Sequence, residues 1–150
     1  MSNPTSTPPS GPGRGAVIAP HTFMVHGDLV VSFTLPGRMA DEPWHRFVTA
    51  LRTNPVKYYL HAQVGAVETS AVQRTQLSSV VTAKGITTAF VTDDALSRGI
   101  ATAASWLGAR TKTFNWPDLR KGLEYLHTPP AVAAQVEAEL NGLRAAGRIG

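Results

Sequence analysis

What most constrains this chain is the alternation of two hydrophobic periods, punctuated by glycine and proline. From His21 onward, Thr22-Phe23-Met24-Val25-His26, a Gly27-Asp28 turn and Leu29-Val30-Val31-Ser32-Phe33-Thr34-Leu35 read as strand, turn and strand. Asp41-Glu42-Pro43 then put acids and a proline where a helix start favours them, and Trp44, Phe47, Val48 and Leu51 recur at helical spacing. Asn54-Pro55 stops that helix, and Val56 to Ala62 has the aromatic and β-branched content of a strand. The exchange repeats. A helix is expected from Glu68 to Lys84 with Val72, Leu77, Val80 and Val81 on one face and Gly85 as its cap, followed by a strand from Ile86 to Val91. Thr92-Asp93-Asp94 opens a further helix with Leu96, Ile100, Ala103, Ala104 and Leu107 on one side, and Gly108 ends it. Thr111 to Phe114 reads as a short strand, and Asn115-Trp116-Pro117-Asp118 starts a helix carrying Leu119, Leu123 and Leu126. Such alternation predicts an α/β fold: a mixed, largely parallel sheet of four to five strands with four to five helices packed on it, and function in the loops at strand ends.

The two ends differ from this middle. Residues 1–15 repeat Pro, Ser, Thr and Gly with few apolar side chains, so they cannot offset the entropy of ordering and are expected to form a flexible tail. The folded domain is expected over residues 16–128. Beyond Thr128-Pro129-Pro130, residues 129–150 are rich in Ala, Glu, Leu and Arg, and Val132, Val136, Leu140 and Leu143 make an apolar stripe. This final amphipathic helix could pack on the sheet, pair with a second copy of the chain as a homodimer, or frame a partner; packing within the same chain is the expectation.

Several function classes lose support at this level. The chain has no Cys, which removes disulfides, thiolate metal sites and cysteine nucleophiles together. No apolar run is long enough to span a bilayer, and the N-terminus lacks the charged-then-apolar order of a signal peptide, so a cytoplasmic protein without membrane insertion is expected. A formal charge of +4 comes from scattered residues. The nearest thing to a basic cluster, Arg110, Lys112, Arg120 and Lys121, is not interleaved with aromatics, so nucleic acid is not expected as a partner. His21, His26, His45, His61 and His127 show no metal-ligand spacing, and Asp93-Asp94 is explained by helix capping. Phosphate-cradling, dinucleotide and nucleophile-elbow motifs are all missing, so no enzyme activity, metal or cofactor is expected.

One junction stands out within this frame. In Val64-Gly65-Ala66-Val67-Glu68-Thr69-Ser70-Ala71-Val72, an extended segment ends on an acid, and hydroxyl residues open a helix. Unpaired backbone N–H groups at a helix start favour an anion, so a hydroxyl there can serve as a phosphate switch, while plain N-capping by the same residues is the competing reading. From about His21 to His127 the layout resembles a STAS domain, the fold of bacterial anti-sigma factor antagonists. The likeness lies in the Leu29 to Thr34 strand running through Leu35 to Ala40 into the Trp44 helix, and in Glu68-Thr69-Ser70-Ala71 at the position of the family's D-S-[ST]-G signature. It extends through Gly85 to Val91 and the spacing of the elements that follow.

The resemblance implies a non-catalytic regulatory module for protein interaction. It implies Thr69 as the phosphoacceptor, with Ser70 the neighbouring alternative, and a docking surface of Arg38, Met39, Glu68, Ala71, Val72, Gln73 and Arg74 for an anti-sigma factor kinase. An alternative within the same resemblance is a scaffold of a stress-sensing complex, or an accessory subunit touching the ATPase subunit of a lipid-transport ABC system, with no live switch. Two departures stand out: Glu68 replaces the usual Asp, and Ala71 replaces a Gly whose missing Cβ would let a partner approach closely. A third class, a small-ligand-binding or enzymatic α/β domain, requires a polar pocket that the sequence does not reveal.

Overall fold

The computed structural model describes residues 20–99 and 110–149. The tail expected at 1–15 lies outside them, as do Ile100, Ala103, Ala104, Leu107 and Gly108 of the helix expected after Asp94. Strands β1 (His21–His26) and β2 (Leu29–Thr34) form an antiparallel hairpin; β4 (Tyr58–Gln63), β6 (Thr87–Val91) and β7 (Arg110–Phe114) add in parallel, in the order β1-β2-β4-β6-β7. Between them run α1 (Asp41–Thr53), α2 (Ala71–Lys84) and α3, described over residues 95–99; a 3-10 turn (Trp116–Asp118), α4 (Leu119–Tyr125) and α5 (Pro130–Ile149) follow β7. The fold is therefore α/β with a mixed, largely parallel five-stranded sheet. A two-stranded parallel ladder joins β3 (Gly37–Arg38) to β5 (Val67–Glu68).

Alternation along each strand sorts side chains onto two faces of different character. Leu29, Val31 and Phe33 of β2, Leu60 and Ala62 of β4, and Ala89 and Val91 of β6 face one way, into a purely apolar core closed by Leu119 and Leu123 of α4 and by α5. In α5 the buried stripe is Ala133, Val136 and Leu140, with Val132 and Leu143 at its margin, so this helix packs within its own chain. The opposite face holds Val30 and Tyr59 against Trp44, Phe47, Val48 and Leu51 of α1 and Val80 and Val81 of α2. All four apolar positions expected for α1 are buried.

Two expectations fail locally. Val72 and Leu96, both assigned to inward helix faces, are 66% and 73% exposed. The helix after β5 starts at Ala71, not Glu68, because Val67 and Glu68 pair with Gly37 and Arg38 first. Gly65 turns the chain between β4 and β5: its φ of +66° suits glycine, and a Cβ there would stand 2.9 Å from the Pro36 ring. Gly85 caps α2 in the left-handed conformation, as expected.

Candidate functional site

Helix α2 begins with a capping box. Ser70 Oγ accepts from the Gln73 backbone N–H at 3.0 Å, and Gln73 Oε1 accepts from the Ser70 N–H at 3.0 Å. Gln73 Nε2 also donates to the Met39 carbonyl at 3.0 Å and to Asp41 Oδ1 at 2.9 Å, tying α2 to the loop before α1 and to the first residue of α1. Gln73 is thus 3% exposed and Met39 6% exposed. The docking residues expected from sequence must be corrected here: Met39 packs in the core around α1 and Gln73 holds two elements together, so neither presents a side chain to a partner.

The other expected residues do gather at the surface. The β3–β5 register sets Arg38 beside Glu68, and their side chains form an exposed pair at 3.6 Å. Arg74 reaches back one turn, donating from Nη1 to the Thr69 carbonyl at 2.6 Å, which brings the guanidinium to 3.5 Å from Thr69 Oγ1. Ala71 and Val72 lie exposed beside them. A shallow groove follows the outer face of α2 between Ala71, Arg74, Thr75, Ser78 and Thr82. The two hydroxyls therefore differ in role. Ser70 Oγ is committed to the cap, whereas among the described residues Thr69 Oγ1 makes only the long contact with Arg74.

Below α2, on the sheet face it shares with α1, lies a feature the sequence reading missed. Tyr59, His61 and Gln63 alternate along β4 and share this face with Ser32 of β2 and Thr88 of β6. The Tyr59 hydroxyl lies 2.8 Å from Ser32 Oγ and 2.7 Å from His61 Nδ1. His61 Nε2 meets Gln63 Oε1 at 3.0 Å; because that oxygen only accepts, Nε2 carries the proton and Nδ1 accepts from Tyr59 or Ser32. Gln63 Nε2 passes the row on to the Gly65 carbonyl and to Ser97 Oγ at 2.8 Å. Burial pushes the His61 imidazole down to about 4, against a smaller opposing effect of its Gln63 hydrogen bond. His21 is likewise pushed down to about 4 by burial and by His61, and burial pushes the Tyr59 phenol up. The available signal was the two-residue spacing of Tyr59, His61 and Gln63 within an otherwise apolar strand.

Between this row and α2 is a cavity of about 260 Å³. Its apolar wall includes Trp44, Leu77, Val81 and Phe90, its polar lining includes His61, Gln63 and Thr88, and Thr69 and Arg74 border it as well. Two of the lining residues carry buried polar atoms that have no hydrogen-bond partner among the described residues, Trp44 Nε1 and Thr88 Oγ1.

Asp94 acts as the capping reading expects, whereas Asp93 turns away from that helix start. Asp94 Oδ2 accepts from Ser97 N–H at 2.9 Å and from its hydroxyl at 2.7 Å, which lowers the carboxyl's pKa. Asp93 accepts from the Trp116 N–H and pairs with Arg144. Among the described residues there is no group of three or more acidic or histidine side chains placed to hold a metal ion, and no helix is long and apolar enough to cross a membrane. Comparison of the chain with protein-family models, curated proteins and solved structures finds no match.

Proposed function

We propose that this chain is a non-catalytic protein-interaction module of the anti-sigma factor antagonist kind, with the start and outer face of α2 as its docking surface and Thr69 as its phosphate switch. The observation that carries the reading is the contrast at the strand-to-helix junction. Ser70 is used up in the cap, while the Thr69 hydroxyl is free of the cap and stands beside the 66% exposed Val72 and the small residues of the α2 groove. An exposed apolar side chain such as Val72 costs little to desolvate and gains on contact. The order of elements, a hairpin followed by alternating strands and helices, is the one the STAS resemblance implies.

A phosphate on Thr69 adds up to about two negative charges to this contact surface. Within the free protein Arg74 and the helix start accommodate it; against an apolar or acidic partner it is desolvated and repelled. A loss of about 3–4 kcal/mol weakens binding several hundred-fold, enough for a switch. The partner proposed is an anti-sigma factor kinase, met in the protein's own cells. Titration calorimetry against the kinase that co-purifies tests this: Thr69→Ala should bind as the unmodified protein does, and Thr69→Glu should lose binding while circular dichroism shows the fold intact. Equal affinity of the two variants would remove the switch and leave the scaffold reading.

A further inference from the structure

The cavity beneath α2 is not needed for docking on the helix's outer face, and its lining describes a ligand. We propose that it is a binding site for a compact aromatic or alicyclic monocarboxylate. Size comes first: about 260 Å³ is near the lower end of small-molecule sites, roughly 300–1,000 Å³, and suits a single ring with short substituents. Trp44, Leu77, Val81 and Phe90 offer such a ring apolar contact.

Charge fixes the second element. Among the described lining residues Arg74 is the only charged side chain, and no acid is present. His61 cannot supply a deep positive charge, since its nitrogens are engaged by Tyr59, Ser32 and Gln63. The one place for an anion is therefore the mouth, where Arg74 now spends its donor on the Thr69 carbonyl. A carboxylate offers the guanidinium a planar pair of acceptors in exchange.

The site shares Thr69 and Arg74 with the proposed switch, but its test needs neither phosphate nor partner and reads binding directly. The full chain is titrated with 4-hydroxybenzoate and with its uncharged analogue 4-hydroxybenzamide, by calorimetry and by following the Trp44 indole N–H resonance, assigned through Trp44→Phe. Saturable binding of the acid is expected, about tenfold tighter than that of the amide, with the Trp44 resonance moving in step with occupancy. Arg74→Gln, an exposed position whose fold is checked by circular dichroism, should erase the difference between acid and amide. The absence of saturable binding overturns the site. Equal affinity for acid and amide in the unaltered protein overturns the carboxylate at Arg74, and a Trp44 resonance unmoved at saturation overturns the placement in this cavity.

Discussion

Replacing Gln73 by Ala tests the claim that this residue is an internal fastener. The side chain makes three hydrogen bonds: it accepts from the Ser70 N–H and donates to the Met39 carbonyl and Asp41 Oδ1. Asp41 and the Ser70 N–H lie at the surface and can turn to water, so each costs about 0.5 kcal/mol. The bond to the Met39 carbonyl is buried, and its acceptor is left unpaired at a cost of about 1–3 kcal/mol. The sum is about 2–4 kcal/mol. Ser70→Ala removes only the reciprocal half of the capping box and should cost about 1 kcal/mol. Urea unfolding followed by far-UV circular dichroism measures both. Gln73→Glu keeps the acceptor for Ser70 but sets a carboxylate against the Met39 carbonyl and Asp41, so its deficit relative to the unaltered protein should shrink as pH falls from 7 to 4. A Gln73→Ala variant within about 0.5 kcal/mol of the parent, yet weakened in partner binding, would return Gln73 to the docking surface.

Phe47 is fully buried against Trp44 and Tyr59, so Phe47→Ala should cost about 3–5 kcal/mol in the same assay; near-neutral stability would place α1 on the surface. His61 and His21, held neutral with pKa values near 4 when folded against 6.5 ordinarily, bind protons more readily in the unfolded chain. The stability they allow is complete above about pH 6.5 and falls as pH drops toward 4, by on the order of 3 kcal/mol for His61. Denaturation midpoints across this range should therefore decline less steeply in His61→Asn than in the parent, and identical slopes would contradict the neutral, buried imidazole.

How far the sequence discloses this molecule depends on whether burial follows hydrophobicity. In α1 it does: Trp44, Phe47, Val48 and Leu51 recur at helical spacing, and all four lie in the core. In α2 it does not. Gln73 takes an inward position because Met39 of the β3–α1 connection and Asp41 at the start of α1 satisfy its amide, and Val72 is left outside. Periodicity cannot register a polar residue whose partners lie more than thirty positions away. The same limit hid the row of Tyr59, His61 and Gln63. Its alternation is visible in β4, but its partners Ser32 and Ser97 come from other elements, and only the assembled sheet brings them together. The start of α2 was displaced for a related reason: Val67 and Glu68 extend because Gly37 and Arg38 are there to pair with them. The gathering of Arg38, Glu68, Thr69 and Arg74 was legible only in part. Their juxtaposition rests on that two-residue ladder and on the one-turn reach of Arg74.

The switch is tested most directly by the phosphorylation state of the protein purified from its own cells, by intact mass with and without phosphatase and by fragmentation of the peptide spanning Glu68 to Arg74. A single phosphate is expected, removed by phosphatase and located on Thr69, because Ser70 Oγ is engaged in the cap. A chain that carries no phosphate at Thr69 under any growth condition, or one that carries it on Ser70, would contradict the assignment of the switch.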